Sequence, residues 1–251
     1  MMTNLSEEDQ DYLDFLDYEI KSNEGDYKLY LERGDLKYEV EDYEGAVADY
    51  TLAIKFCNNK QHYNLWWQKS LANDRAGNYL SALNDISVAH KLKPRRSAII
   101  LTMGTYYEHF NDYARAEECY LKAIKINPKY AEPYIFLGHI RIENDDYPAA
   151  LKYLNKAVKS EPLDNRARFW RGIALGHLYR FDEAVEDFDM AIILDPKDHD
   201  ARMNKAQTLY YMERYQAATA ELHILLQQNP DYHAALDLLE EIEDEGEGWK
   251  G

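Results

Sequence analysis

Three histidines are the first residues in this sequence whose type and spacing suggest chemistry. His109, His139 and His177 fall in consecutive segments of 34 residues, and helical periodicity places them on one predicted face. A metal ion needs ligands that converge to within about 2–2.5 Å of it. Helices of successive segments lie about 10 Å apart, so these imidazoles cannot share one ion. The pattern therefore predicts polar surface residues and no metal site.

Other motifs for catalysis or cofactor binding are absent from the sequence. It contains no glycine-rich phosphate loop, no GxSxG and no HExxH. Cys57 and Cys119 form no CxxC and lie far apart in the sequence, so neither a zinc site nor a disulfide framework is indicated. We therefore predict a non-enzymatic protein without a cofactor.

The charge of the chain restricts its partners. The net charge is -17, with the excess of acids near both ends. Nucleic acids and anionic membranes attract positive charge, so nonspecific binding to either is not expected. The sequence begins with no signal peptide and has no stretch that could span a membrane. It predicts a protein partner, a cytoplasmic location and acidic ends that are solvated caps, with an electrostatic partner for the ends as the alternative.

The elements that must position these residues recur with a fixed period. Aligned on their prolines, the segments are 27–60, 63–96, 97–130, 131–164, 165–198 and 199–232, with Gln61 and His62 as an insertion. Position 8 of a segment is Gly, Ser or Ala, position 20 is Ala, and position 17 is Tyr or Phe. The prolines at position 32 are Pro94, Pro128, Pro162, Pro196 and Pro230.

Each recurring residue has a physical explanation. Small residues at positions 8 and 20 let two helices approach closely. The ring at position 17 stands where the chain turns, and we expect it to anchor the second helix by being buried. Proline at position 32 cannot continue a helix, so the second helix ends before it. Apolar residues between these positions recur at intervals of three and four, which predicts a helix pair in every segment.

The segments resemble the tetratricopeptide repeat, which has a small residue at position 8, alanine at 20, an aromatic residue at 24 and proline at 32. The resemblance implies an all-α fold, a right-handed superhelical solenoid of antiparallel helix pairs. We expect an acidic helix within 1–26, six repeats over 27–232, a capping helix at 233–245 and a disordered tail at 246–251. Position 4 departs from the expected aromatic residue, being Ile100, Arg168 and Arg202 in three repeats.

Two positions of the repeat change together. Position 7 is basic and position 23 acidic in four repeats, namely Arg33 with Asp49, Lys69 with Asp85, Arg171 with Asp187, and Lys205 with Glu221. In the other two repeats both positions are uncharged, Met103 with Cys119 and Leu137 with Tyr153. We predict that positions 7 and 23 meet across the helix pair. If exposed, each pair contributes about 0–1 kcal/mol.

The resemblance also implies a binding surface, because positions 2, 5, 9, 12 and 13 of the first helix line the concave face in this family. Position 5 is apolar in all six repeats, and polar groups stand beside it, which suits an extended or helical peptide. The alternative is that position 5 packs between neighbouring first helices. The predicted groove residues are Trp67, Leu71, Leu101, Thr105, His109, Ile135, His139, Arg166, Phe169, Ile173, His177, Met203, Gln207, Tyr210 and Tyr211.

The predicted function is that of an adaptor that binds a peptide segment of a partner protein in this groove. The family's clamp for a terminal carboxylate requires Lys and Asn where this chain has Leu31 and Asp35, so binding of chaperone tails is disfavoured. The alternative is a self-associating scaffold within a larger assembly. The adaptor is expected to be a monomer or a weak homo-oligomer, whereas the scaffold would self-associate strongly.

Overall fold

The computed structural model describes residues 6–58 and 62–248, and in that part of the chain it contains fourteen helices and no strand. The helices are α1 (Glu7–Ser22), α2 (Tyr27–Glu39), α3 (Tyr43–Phe56), α4 (Tyr63–Arg75), α5 (Tyr79–Leu92), α6 (Ser97–His109), α7 (Tyr113–Ile126), α8 (Glu132–Glu143), α9 (Tyr147–Ser160), α10 (Asn165–His177), α11 (Phe181–Leu194), α12 (His199–Tyr211), α13 (Tyr215–Gln228) and α14 (His233–Gly248).

The chain divides into two compact units, an N-terminal unit of residues 1–127 and a C-terminal unit of residues 128–251. Helices α1–α7 belong to the first and α8–α14 to the second. The two helices of each repeat pack extensively on each other, and within a unit each pair stacks on the next. The predicted all-α fold of helix pairs is confirmed.

The turn inside every repeat depends on one residue in the left-handed region. At position 15 the backbone φ lies between 56° and 78° in all six repeats. Only one repeat places a glycine there, although glycine adopts this conformation most easily. The left-handed residue terminates the first helix, so that the second begins two residues later in each repeat. These residues are Glu41, Gly77, Asn111, Asp145, Tyr179 and Glu213.

The ends of the chain differ in detail from the prediction. The N-terminal helix covers Glu7–Ser22, with Ser6 as an N-cap whose hydroxyl accepts a hydrogen bond from the Asp9 amide at 3.1 Å. Residues 1–5 lie outside the described part. The last helix extends through Gly248 instead of stopping at residue 245, because a helix held by packed side chains propagates at little further cost. The predicted tail is therefore helical over 246–248, and 249–251 lie outside the description.

Positions 8 and 24 pack directly against each other across each helix pair. A Cβ atom at Gly104 would lie 2.5 Å from Cε1 of Tyr120, and one at Gly172 would lie 2.7 Å from Cε1 of Phe188. Both rings are fully buried. In the repeats where position 8 is Ser70 or Ala206, position 24 is aliphatic. Every aromatic ring at position 24 thus faces a glycine at position 8, although one glycine, Gly138, faces the aliphatic Leu154.

The predicted charge pairs are formed in all four repeats. The ion-pair distances are 2.5 Å for Arg33–Asp49, 3.4 Å for Lys69–Asp85, 2.6 Å for Arg171–Asp187 and 2.5 Å for Lys205–Glu221. The acidic side chains are between 1% and 15% exposed, so these are not the weak surface pairs considered above. Burial raises the pKa of the Asp85 carboxyl, and the neighbouring Lys69 ammonium opposes that rise.

The two arginines at position 4 have a role that the sequence pattern did not reveal. Arg168 Nη1 lies 3.0 Å from Asp187 Oδ1, and Arg202 Nη1 lies 2.7 Å from Glu221 Oε2. Each therefore joins the buried acid at position 23 as a second cation. Where Ile100 stands at position 4, positions 7 and 23 are also uncharged. Positions 4, 7 and 23 form one cluster, which explains this departure from the expected aromatic residue.

The rings at position 17 are not the buried anchors that the sequence led us to expect. Tyr79, Tyr113 and Tyr215 are 39%, 54% and 37% exposed. Within a unit, such a ring instead stacks on position 13 of the following repeat. The ring centroids of Tyr79 and His109 lie 4.5 Å apart, and those of Tyr147 and His177 lie 4.1 Å apart. Position 17 therefore ties adjacent repeats together at their surface.

Candidate interaction surface

In the N-terminal unit, the predicted groove residues lie on α4 and α6 but differ in accessibility. Trp67 and Leu71 are half-buried on α4, where their spacing of one turn places them on one face. Leu101 is only 6% exposed, so at this repeat position 5 belongs to the packing. The Thr105 hydroxyl donates to the Thr102 carbonyl at 2.9 Å and is occupied within its own helix. His109 is exposed.

His109 is held between a ring and a carboxylate. It stacks on Tyr79 with an interplanar angle of 19°, and its Nε2 lies 3.3 Å from Oδ1 of Asp74. Burial raises the pKa of the Asp74 carboxyl, while His109 and Arg75 lower it. The imidazole is thus a polar group that its two neighbours hold at the surface.

In the C-terminal unit, α8 contributes one buried and one accessible residue. Ile135 is 5% exposed and, like Leu101, is removed from solvent. The His139 ring lies 4.4 Å from that of Trp170, and its Nε2 is 3.6 Å from Glu143 Oε1. Arg166 on α10 is 51% exposed while pairing with Asp164 at 3.0 Å. His139 and Arg166 therefore present polar groups, whereas Ile135 provides packing.

Three more of the predicted groove residues pack or form hydrogen bonds within the C-terminal unit. Phe169 is half-buried against Phe188, with ring centroids 6.2 Å apart. Met203 is half-buried against the core formed by α12, α13 and α14. The Tyr210 hydroxyl donates to Glu241 Oε1 on α14 at 2.8 Å. These side chains stabilise the unit, and only part of each is available to a ligand.

The remaining four predicted residues converge on one cavity between α10 and α12. Ile173, His177, Gln207 and Tyr211 line an opening of about 390 Å³. Gln207 and Tyr211 are exposed, and Ile173 is half-buried at the floor beside Phe188. This volume lies in the ordinary range of ligand pockets and is large enough to take one large side chain of a peptide.

The cavity also has walls that sequence reasoning missed. Tyr179 of the turn between α10 and α11 lines it, as does Phe181, the first residue of α11. Asn204 and Thr208 of α12 complete these walls. The Phe181 ring stacks on Tyr211 with centroids 6.3 Å apart. The feature that could have indicated Tyr179 is its place at position 15, in the turn of the repeat. The left-handed backbone there directs the Tyr179 side chain outward, and the residue is 82% exposed. The result is an apolar aromatic pocket bordered by amide and hydroxyl groups.

The described residues hold no cluster of three or more histidine, cysteine, aspartate or glutamate side chains that could bind a metal ion. Over the same residues, no helix is both long enough and apolar enough to cross a membrane.

Comparison with protein families finds two matches, both described as tetratricopeptide repeat, at residues 98–130 and 135–199. Among curated proteins, human tetratricopeptide repeat protein 6 is 26% identical over 48% of this chain and 22% of its own length. Anaphase-promoting complex subunit 3 of Schizosaccharomyces pombe is 26% identical over 53% of this chain and 20% of its own length. The chain thus matches about a fifth of the length of these relatives.

Solved structures show the same architecture. YrrB, described as a TPR protein with an unusual peptide-binding site, is 25% identical, with a TM-score of 0.60 over 75% of this chain and 96% of YrrB. Pseudomonas aeruginosa PilF is 13% identical, with a TM-score of 0.74 over 87% of this chain and 98% of PilF. Cut9–Hcn1 of the APC/C is 16% identical, with a TM-score of 0.75 over 92% of this chain and 46% of that one. The last two similarities concern the fold alone.

Proposed function

We propose that this chain, which is a tetratricopeptide-repeat protein, is a non-enzymatic adaptor that binds a peptide segment of a partner protein. The proposed contact in the C-terminal unit is the cavity between α10 and α12, and the proposed location is the cytoplasm. The observation that carries this proposal is the convergence of four groove residues with Tyr179 and Phe181 on one opening. The peptide-binding site described for YrrB supports it as a precedent within the fold.

The mechanism is preorganisation of the receptor. The Tyr211 ring is held by Phe181 and the His177 ring by Tyr147, so both side chains lose little freedom when a ligand arrives. An apolar side chain of the peptide would fill the space above Ile173. The Gln207 amide would bond to the peptide backbone, since a buried peptide group needs a partner.

The test begins with panning a phage-displayed peptide library against the full chain and synthesising an enriched peptide. Its affinity is then measured by calorimetry for the wild type and for Gln207→Ala combined with Tyr211→Ala. An exposed aromatic residue in a binding pocket contributes about 2 kcal/mol, so we expect at least about tenfold weaker binding. Both residues are exposed, so the fold should be retained, and a melting curve checks this.

The matched control is Tyr113→Ala, which removes a comparably exposed tyrosine, 54% against 59% for Tyr211, from the other unit. Its affinity should equal that of the wild type. If the cavity variant remains folded and binds the peptide as tightly as the control does, the cavity is not the binding site.

The second candidate function is a scaffold subunit that self-associates in a larger assembly. It is favoured by the similarity to a subunit of the anaphase-promoting complex and by Phe15 and Tyr18, which are 52% and 67% exposed on α1. Light scattering of the full chain over a range of concentrations separates the two candidates. A mass that rises steeply with concentration, and that falls back in Phe15→Ser with Tyr18→Ser, would favour the scaffold over the adaptor.

A further inference from the structure

A short basic stretch between α5 and α6 stands out in this acidic protein. Lys93, Arg95 and Arg96 flank Pro94 at the end of the second repeat, and all three are exposed. The chain carries 46 acidic residues against 29 lysines and arginines, so three cations around one proline depart from its overall charge. The stretch belongs entirely to the N-terminal unit and is separate from the cavity between α10 and α12.

Two aromatic rings hold the cations at this surface. The Arg96 guanidinium lies 5.4 Å from the centroid of Trp67 and 5.5 Å from that of Tyr63. The Lys93 ammonium lies 5.6 Å from the Tyr63 centroid. Both rings are half-buried at the start of α4. We call these five residues, Tyr63, Trp67, Lys93, Arg95 and Arg96, the Trp67 cluster.

The positive charge of the Trp67 cluster is not neutralised. Within residues 6–58 and 62–244, no carboxylate forms an ion pair with Lys93, Arg95 or Arg96. Two other arginines are paired, since Arg33 contacts two carboxylates and Arg171 binds Asp187 through two nitrogens. The cluster therefore offers unsatisfied guanidinium donors whose positions are already limited by the rings below them.

The geometry points to the Trp67 cluster as a docking surface for an acidic segment of a partner protein, with aspartates or glutamates on the cations and an apolar residue beside Trp67. Arginine presents paired N–H donors that match a carboxylate. Leu71, one helical turn after Trp67, continues the apolar surface and is also half-buried. The surface thus combines charge and apolar area over a few residues.

Charge favours a short acidic peptide over a long polyanion. Electrostatic forces are screened beyond about 10 Å at ordinary ionic strength, so a short segment interacts mainly with the local cations. A nucleic acid strand would extend from the cluster over the rest of a chain whose net charge is -17. Two copies of the chain repel each other for the same reason. The inference stands independently of the proposed cavity between α10 and α12, because no residue of the Trp67 cluster lines it. Trp67 and Leu71 do belong to the groove predicted from the sequence.

The experiment measures binding of fluorescein-labelled peptides to the full chain by anisotropy. The probes are a peptide of repeated Asp-Glu-Leu triplets, its Asn-Gln-Leu isostere, and a polyuridine oligonucleotide of similar length. We expect the acidic peptide to bind at least about tenfold more tightly than the isostere at low salt, and the difference to shrink at high salt. The variant Lys93→Glu with Arg96→Glu should lose at least about tenfold in affinity.

The matched control is Lys152→Glu with Lys159→Glu on α9 of the other unit, where both lysines are exposed. It makes the same change in net charge and should leave binding nearly unchanged. Arg96→Gln, which removes one charge and keeps the size, should give an intermediate loss with an unaltered melting curve. Arg96→Gln keeps the test valid if the variant Lys93→Glu with Arg96→Glu does not fold.

Three results would overturn the inference. One is equal binding of the acidic peptide by wild type and folded Arg96→Gln. Another is equal weakening by the α9 control, since that would reflect net charge alone. The third is tighter binding of polyuridine than of the acidic peptide, with the same sensitivity to Arg96, because the site would then be one for nucleic acid.

Discussion

The absence of a side-chain carbon at position 8 accompanies every aromatic ring at position 24. Aliphatic residues at position 24 face either glycine, as Leu154 does, or a larger residue, as Leu222 does. Four repeats have glycine at position 8, and their partners at position 24 approach where a Cβ atom would stand. The other two repeats have Ser70 and Ala206, and their partners are Ile86 and Leu222. The contact between the two helices is therefore made with different combinations of residues in different repeats.

Replacing Gly172 by Ala is the test at this scale. The new Cβ would lie 2.7 Å from Cε1 of Phe188, which is buried and cannot move aside freely. We expect a loss of about 1–3 kcal/mol in the free energy of unfolding, measured in urea.

Gly176→Ala on the same helix is the control, because its Cβ would meet no atom within 4 Å. Alanine is a better helix former, so this variant should be as stable as the wild type or gain up to about 1 kcal/mol. Adding Phe188→Leu to Gly172→Ala recreates the combination of Ala206 with Leu222 and should recover part of the loss. Equal effects of the two alanines would show that the close contact does not limit the packing.

At the scale of the helix pair, the cluster of positions 4, 7 and 23 decides how two helices are joined. In the fifth repeat Asp187 is 1% exposed and receives hydrogen bonds from Arg168 and Arg171 at 2.6–3.0 Å. The third repeat has Ile100, Met103 and Cys119 at these three positions. A buried ion pair can often be replaced by apolar residues without loss, whereas removing one partner is costly.

Exchanging one cluster for the other tests this argument. Asp187→Cys alone leaves two arginines without their acid and should cost about 3 kcal/mol. Adding Arg168→Ile and Arg171→Met copies the third repeat and should restore stability to within about 1 kcal/mol of the wild type. Urea unfolding of the single, double and triple variants gives the coupling directly. A triple variant no more stable than Asp187→Cys would contradict the idea that the three positions form an exchangeable unit.

At the scale of the C-terminal unit, the last helix covers an apolar flank that an array of repeats leaves open. Leu238 and Ile242 of α14 are 6% and 8% exposed, and they pack in one core with Leu222 and Leu225. A repeat contacts only its neighbours, so the terminal flank depends on this helix.

We expect Leu238→Ala to reduce the free energy of unfolding by about 2–4 kcal/mol, because a buried leucine is lost and a cavity remains. Leu236→Ala is the control, since Leu236 is 44% exposed on the same helix and should change stability by less than about 0.5 kcal/mol. Thermal unfolding followed by circular dichroism measures both. Truncation of 237–251 should reduce stability further and promote aggregation. Equal melting temperatures for the two alanine variants would mean that α14 does not cap the unit.

The sequence alone determined the repeat, the helix pairs and the link between positions 7 and 23. Each of these depends on contacts within about one repeat, and each contact is present in several copies. A residue pair that matters for packing therefore recurs at a fixed spacing, as Arg171 with Asp187 and Lys69 with Asp85 do. The capping of α1 by Ser6 is a local contact of the same kind, since its partner Asp9 lies only three residues away.

Only the tertiary structure decided which groove residues are accessible. Leu101 and Ile135 stand at position 5, as does the half-buried Phe169, yet both are buried. The accessibility of a residue depends on every side chain packed around it. The cavity needs the left-handed turn at Tyr179, and the Trp67 cluster needs Arg96 to fold back over two rings of α4. The turn recurs in every repeat, but the side chains that it brings to the cavity differ from repeat to repeat, and the contacts of Arg96 depend on side-chain direction. The repeating pattern therefore did not indicate either site.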